Sequence, residues 1–341
     1  MTNIKIKILE ETNKPKVGFT NLKFNLSGSE INSSVSNTII RTICSLVGSY
    51  AYNPSLFTYG EKDFEVQPIY NTDKLNLRFE NIPICYRLDQ PKNYITKCIE
   101  LESKFYNPDI FTKKTDLEIL EEEERIKNEN IDNLVMNINV MNDTENIMNV
   151  TTNSSGINFY YKQKEIEKDI IYHSGYSCLL LDLKPKQEIE ASLVSDFNIP
   201  LYHDRYRTVG AIGHEKVSDT SFDIYLESHG QISEKQIVKY ACQIIKERIK
   251  ILRDTIIKNI EKNKENRNEL IIENESDTFG YVLYTKMLEH KNILSYTHIR
   301  EHLQQYNIKI EYIVEGKEFS KILEEVSDNL IKIYDEIYKL F

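Results

Sequence analysis

Two histidines four residues apart, His298 and His302, are the closest approach to a metal-binding pair in this sequence. On a helix such a pair shares a face, and two imidazoles can begin a zinc site, yet a four-coordinate ion needs two more ligands. Exposed or capping roles account for both. His203 and His214 flank a Gly-containing loop and read as ordinary loop residues. The five cysteines, at 44, 85, 98, 178 and 242, are scattered, odd in number and without a C-x-x-C. Neither a disulfide framework nor a zinc knuckle fits that pattern. Cys44 and Cys242 fall on apolar helix faces, where a free thiol behaves as a small hydrophobe. Tyr334 and Tyr338 are also four apart, and helix packing explains them without a ligand.

Motifs that carry catalysis are missing. The chain has no G-x-x-x-x-G-K-[ST], G-x-S-x-G, H-E-x-x-H or G-x-G-x-x-G, and no aspartate-rich cluster able to hold magnesium. Phosphoryl transfer needs metal ions and charge clamps. The expectation is therefore no catalytic, cofactor-binding or metal-ligating residues, and no cofactor.

Composition narrows the classes further. The 341 residues are 40% apolar and 28% charged, with no tryptophan and 22 tyrosines. That is the composition of a globular protein with a real core and two to three structural units. The net charge of −10 opposes a dominant nucleic-acid contact, because phosphate neutralisation carries most such affinity. "DRYRTV" at 204–209 is a small basic candidate, with a solvated loop as the plainer reading. Scattered cysteines point to a reducing, cytosol-like compartment. No signal peptide is evident before residue 30, and no apolar run reaches membrane-spanning length, so no membrane contact is expected.

The elements that must position any site follow from periodicity. "NIKIKIL" at 3–9 and "KVGFTNLKFNL" at 16–26 alternate as two strands of a hairpin. Ser33 or Ser34 is the candidate cap of a helix whose stripe is Val35, Ile39, Ile40, Ile43, Leu46 and Val47. Residues 61–175 read as a mainly β insert, with strand-like pieces such as "FEVQPIY" and "LNLRFENIPI". Within it, acidic residues cluster at 121–124. "CLLLDLKPKQEIEASLVSDF" at 178–197 gives strands about a Lys184-Pro185 turn, and "FDIYLES" at 222–228 gives another. A long helix over about 233–261 carries Ile237, Val238, Ala241, Ile244, Ile245, Ile249, Leu252, Ile256 and Ile260 as one seam. After a polar linker, "LIIENES" is a strand that runs into a helix with Phe279, Val282, Leu283 and Met287 buried. "IKIEYIV" at 308–314 and a final helix, with Val326 and Leu330 on its apolar side, close the chain.

The same order, strand, polar turn, apolar helix, is thus written at both ends, at 27–46 and at 274–292. Each end is a small sheet with two helices. A unit of roughly 70 residues buries too little surface to stand comfortably alone. The seams supply a pairing surface between the two, with Val35, Ile39, Ile43, Ile245, Leu252, Phe279, Leu283, Met287, Val326 and Leu330 as its candidate residues.

The front of the chain resembles the third-largest subunit of eukaryotic RNA polymerase II, the archaeal D subunit and, more distantly, bacterial alpha. The likeness rests on "IKIKILEETNKPKVGFTNLKFNLSGSEINSSVSNTIIRTI", where Asn37 and Arg41 match an Asn-x-Leu-Arg-Arg helix. Arg78, Ile82, Pro83 and Ile84 match an Arg-x-x-x-Ile-Pro-Leu segment, and "LLLDLKPKQEIEASL" a Leu-Lys-Pro-Gly-Gln strand. Glu227, Ser228 and Gly230 match the Glu-Ser-x-Gly turn opening the family's long helix. The last 75 residues are similar to the eleventh subunit, archaeal L, through Glu275, Thr278, Gly280 and Leu283 of its Glu-Asp-His-Thr-Leu-Gly-Asn-Leu-Leu motif. The family's later His-Pro-Leu is only partly kept, as His302-Leu303.

The resemblance implies an α+β protein with two alpha-like dimerisation half-domains paired in one chain. They would be 1–60 with 176–262, and 263–341, around the insert at 61–175. It implies a non-catalytic platform of a DNA-directed RNA polymerase, like the fused version in some large DNA viruses. Its partners would be the largest and second-largest subunits and a small zinc-binding subunit. Asn37, Arg41, Arg78 and Pro83 would approach the second-largest subunit. The family's zinc loop is not expected, since the insert offers only Cys85 and Cys98. Localisation would be virion and host cytoplasm, or otherwise cytosol or nucleus. A free-standing homodimeric scaffold and an enzyme of unrecognised type are the alternative readings.

Overall fold

In the computed structural model, residues 3–13, 20–60, 72–85, 89–107, 133–168, 171, 177–262, 269–300 and 306–341 are described. In chain order they begin with β1 (Lys5–Asn13), β2 (Thr20–Ser27), α1 (Ser33–Ser45), β3 (Ser49–Tyr52) and β4 (Thr58–Tyr59). Next come α2 (Thr72–Glu80), α3 (Tyr94–Tyr106), β5 (Leu134–Met141), β6 (Met148–Thr151), β7 (Ile157–Tyr161) and β8 (Lys164–Ile166). β9 (Leu179–Leu183), β10 (Glu188–Asn198), β11 (Val209–Ser218), β12 (Ser221–Ser228) and α4 (Glu234–Lys262) follow. The chain ends with β13 (Glu269–Ile272), α5 (Asp277–Leu288), β14 (Ile293–Ile299), β15 (Ile308–Val314) and α6 (Phe319–Leu340). The fold is α+β.

Alternation decides the first sheet. On β2, Leu22, Phe24 and Leu26 point inward while Lys23 and Asn25 do not. These three lie opposite Leu226, Ile224 and Phe222 of β12, so the two strands bury one continuous apolar face. The sheet order is β1-β2-β12-β11, all antiparallel. A second, three-stranded sheet, β13-β15-β14, comes from the other end of the chain.

Helices α1, α4, α5 and α6 fill the space on these sheets. One hydrophobic cluster contains residues from all four helices, from α3 and from both sheets. A second cluster is built on the sheet β3-β10-β5-β7-β8, with β4 also on β10 and with α2 and β9 packed against it. Strand β5 pairs with β10 along seven residue pairs, from Glu188↔Met141 to Val194↔Val135. The inserted region therefore does not complete its own sheet; β10, β3 and β4, from outside 61–175, do so.

Several elements differ from the expectation. "LNLRFENIPI", expected as strand, begins as α2, with Leu75 and Phe79 buried four residues apart. A short apolar run satisfies both periods, and here the helical one packs. The inserted region also carries α3, so its described part is mixed rather than mainly β. Neither Ser33 nor Ser34 caps α1. The cap is Asn32, whose Oδ1 accepts the Val35 N–H at 3.0 Å, while the Ser34 hydroxyl donates to Asn32 at 2.8 Å. His214 sits on β11 and His298 on β14, so neither belongs to a loop or helix face. His302, "FEVQPIY" and the acidic run at 121–124 lie outside the described residues.

Candidate functional site

The ten residues expected to pair the two ends lie together. Val35, Ile39 and Ile43 of α1, Ile245 and Leu252 of α4, Phe279, Leu283 and Met287 of α5, and Val326 and Leu330 of α6 are all buried in the first cluster. Polar contacts cross the same boundary. Ser34 Oγ and Thr285 Oγ1 are 2.6 Å apart, and Lys246 Nζ reaches Asp335 at 2.7 Å. Lys286, only 5% exposed at its side chain, lies between Glu30 at 3.4 Å and Glu289 at 2.8 Å. The Tyr334 hydroxyl is buried and donates to the Val35 carbonyl, and burial raises its pKa well above the usual phenol value.

Two glycines of the motifs have physical reasons. Gly230 adopts a φ of 96°, in the left-handed region that other residues avoid. Ser228 Oγ accepts its N–H at 3.0 Å and donates to the Ile232 carbonyl at 2.6 Å, tightening the turn before α4. Gly280 is helical, but a Cβ there would stand 2.5 Å from His298 Nε2 and 2.9 Å from Ile308 Cδ1. The bare glycine lets α5 lie directly on the sheet.

Glu275, first residue of the same motif, enters a buried ion cluster. Its Oε1 accepts from Arg248 NH2 at 2.7 Å and from the Ser276 N–H at 3.0 Å. Arg248 Nε also lies 2.8 Å from Glu102 Oε2 of α3, but without hydrogen-bond geometry. All three side chains are at most 6% exposed, and Arg248 is 5.1 Å from the Phe279 ring. Burial pushes the Glu102 carboxyl up to about 7, against the pull of Arg248. It also raises Glu275, with Arg248 and the Ser276 N–H opposing. The cluster joins α3, α4 and the start of α5. No sequence motif marks it. Its signal is a charged residue inside an apolar stripe: Arg248 occupies a seam position between Ile245 and Leu252, and Glu102 follows Tyr94 and Cys98 at intervals of four.

The four docking candidates divide between the clusters. Asn37 and Arg41 are exposed on α1; Arg41 NH1 comes within 3.7 Å of Asp277 at the start of α5. Arg78 and Pro83 are half-buried on the second cluster, beside buried Ile82 and Ile84. The basic stretch at 204–209 is not simply solvated. Arg205 forms a shielded ion pair with Glu80 of α2, and Tyr206 donates to Asp196 at 2.7 Å. These contacts, with Ser49 Oγ on the Tyr206 carbonyl at 2.7 Å, couple the two clusters.

The Cys85, Cys98 and Cys242 thiols and the Ser36 hydroxyl are buried. Burial raises the Cys85 thiol to about 11 and Cys98 and Cys242 to about 12, so these sulfurs stay protonated at neutral pH. His214 Nδ1 lies 2.5 Å from Ser36 Oγ, but Ser36 is fully buried. Among the described residues, no group of three His, Cys, Asp or Glu is placed to hold a metal, and no helix is long and apolar enough to cross a membrane.

Fold and site together define a class: an α+β chain whose two ends share one helical interior. The chain is similar to a protein of Acanthamoeba polyphaga mimivirus described as "Putative DNA directed RNA polymerase subunit". The two are 21% identical over 355 aligned positions, covering 99% of this chain and 94% of that protein. No protein-family model matches the chain.

Proposed function

We propose that this protein is a non-catalytic assembly subunit of a DNA-directed RNA polymerase, a single-chain platform on which the two large catalytic subunits dock. The observation that carries this reading is the near full-length similarity to the mimivirus protein. The shared interior of the first and last portions supports the finer part. In this reading the front with α4 plays the third-subunit role, and the part from 263 onward the eleventh-subunit role. Joining them makes their association intramolecular, at effective concentrations that reach about the mM range for short linkers. Dilution then cannot separate them. The exposed Asn37 and Arg41, with Arg78 and Pro83, face the second-largest subunit; the α5–α6 portion faces the largest. A small zinc-binding subunit is a further neighbour. The site of action is the virion and the host cytoplasm.

Because the ten pairing residues are already covered within one chain, they are unavailable to a second copy, which weighs against the homodimeric alternative. Co-expression with the two large polymerase subunits from the same source tests the proposal. The chain should co-purify with at least one of them. Recovery of the folded chain free of both would overturn the reading. Light scattering should give a monomer, whereas a dimer stable on dilution would favour the alternative.

A further inference from the structure

Every sheet here ends in outer strands with one side unpaired, and most of these are guarded. β1 carries Lys5 and Lys7, β11 Glu215 and Lys216, β8 Lys164 and Glu165, and β9 Asp182. Charges of this kind blunt an edge against further pairing. On β3 the Gln231 side chain bonds both the N–H and the carbonyl of Tyr50, at 3.1 and 2.6 Å. On β13 the Asn259 amide reaches the Ile271 carbonyl at 3.4 Å. β6 is only four residues long. β14 has none of these protections: its seven residues include no Lys, Arg, Asp, Glu or Pro. Its bulge lies at the first end, and Ser295–Ile299 run in unbroken register with Ile313–Lys309 of β15. Among the described residues, nothing bonds the other side of that stretch.

Apolar side chains flank this edge. Leu294 and Ile299 are exposed on β14 itself, and Ile313 beside it on β15. On the inner face α5 lies across the strand. The Tyr281 and Tyr284 rings stand 6.5 and 6.2 Å from the His298 ring, and Tyr284 is 5.9 Å from Tyr296. Tyr281 and Leu288, on one side of α5 by helical spacing, are exposed as well. We propose that β14 accepts an extended, apolar segment of a partner polypeptide as a fourth strand of the sheet β13-β15-β14, seated beside α5. Main-chain bonds to Ser295–Ile299 would hold the segment, and its alternate side chains would meet the α5 tyrosines on one face and Ile299 on the other. Charge narrows the partner. On the outer face Lys309 bridges Glu269 and Glu311, each at 3.0 Å, which leaves one carboxylate in excess, and Glu311 lies directly across from Thr297. A Lys or Arg at the central outward position of the segment suits that row. A second copy of the chain fits less well. The exposed side chains offer on the order of a few hundred Å², short of the roughly 800 Å² per partner in a stable interface. The inference stands apart from the polymerase reading, since it concerns an edge of the isolated full chain.

The test is hydrogen exchange of the full-length protein, read over β14, with and without the probe acetyl-Val-Thr-Val-Lys-Val-Thr-Val-amide. The probe should slow exchange of the β14 amides that face away from β15 roughly tenfold or more, and saturably. An analogue N-methylated at its three central residues keeps the side chains but cannot donate from its backbone there, and should protect nothing. These two arms need no variant. Ile299→Lys, at an exposed position of the edge, should weaken probe affinity roughly tenfold. Ile271→Lys, on the far strand of the same sheet, should leave it unchanged. Both variants should melt with the parent, which separates lost binding from lost folding. No protection at about 1 mM probe, equal protection by the N-methylated analogue, or equal loss in the two variants would overturn the proposal. So would protection of β14 that grows with protein concentration in the absence of probe, because that assigns the edge to a second copy.

Discussion

The Tyr334 hydroxyl donates to the backbone carbonyl of Val35 across 3.3 Å, between residues 299 positions apart in the chain. A buried phenol must find an acceptor, and this one takes it from the first turn of α1. The contact therefore closes only when α6 lies against α1. Tyr334→Phe keeps the ring and removes the bond, leaving a helical carbonyl that retains its place in α1. The expected loss is about 1 kcal/mol, read as a lowered denaturant midpoint at unchanged slope.

Leu283 is 1% exposed in the middle of the shared cluster. Leu283→Asp places a carboxylate there with no cation provided for it. Several kcal/mol of destabilisation should follow, on the order of 3–5. The transition should lose cooperativity in thermal unfolding. A variant that melts like the parent would show that this position is not enclosed.

Gly280 and His298 form a testable steric pair. Gly280→Ala should cost about 1–3 kcal/mol, because the new methyl overlaps the imidazole and Ile308. His298→Ala removes the nearer obstacle. In a double-mutant cycle the Gly280→Ala penalty should shrink in the His298→Ala background, a coupling of about 1 kcal/mol. Additive effects would mean that the two do not meet.

Glu102 makes the stability depend on pH in an uncommon direction. Its carboxyl titrates near 7 in the fold instead of the ordinary 4.5. The folded state therefore binds the proton more tightly than the unfolded chain. The stabilisation is fully present below about 4.5 and is lost as the pH rises through about 7. The raised Glu275 pushes in the same direction. For Glu102 the loss is about 3 kcal/mol by pH 8. Glu102→Gln should melt higher than the parent at pH 8 and flatten the decline between pH 5 and 8.

Arg205 and Glu80 are both largely shielded, and their ion pair ties the short turn at 204–206 to α2. Arg205→Ala leaves Glu80 without its cation, at a cost of about 3 kcal/mol. The damage should be local, appearing as faster proteolysis around 72–107. Arg41→Ala, by contrast, removes an exposed side chain in a loose pair with Asp277 and should change stability by less than about 1 kcal/mol. If the platform reading holds, it should lower recovery of the second-largest subunit.

Much of this was legible because alternation and the 3.6-residue period are local signals. The strands at 5–13, 20–27 and 221–228, the long α4 and the closing α6 follow from them directly. What periodicity could not give was partnership. That β2 would take β12 as its neighbour, or that β5 would take β10, depends on chain closure over long separations. The sequence of α2 is ambiguous because a ten-residue run with apolar positions at 75, 77, 79, 82 and 84 satisfies two periods at once. β11 carries two glycines, and β14 interrupts its apolar residues with Ser295, Thr297 and His298, so their strand state comes from their neighbours. Arg248 and Glu102 were legible as charges in apolar stripes, yet only the fold brings them to one another.

The strand order β1-β2-β12-β11 also sets a timetable during synthesis. The N-terminal hairpin leaves the ribosome long before β12 exists to cover its edge, and α6 is made later still. At about 5–20 residues per second, the interval from β2 to α6 lasts on the order of 15–60 s. Until it ends, the face of Leu22, Phe24 and Leu26 lacks part of its cover, since the last of it, Phe341 against Phe24, comes with the end of the chain. Such a nascent chain would be a natural client for holding chaperones, and slowing translation should lengthen its exposure to aggregation in proportion.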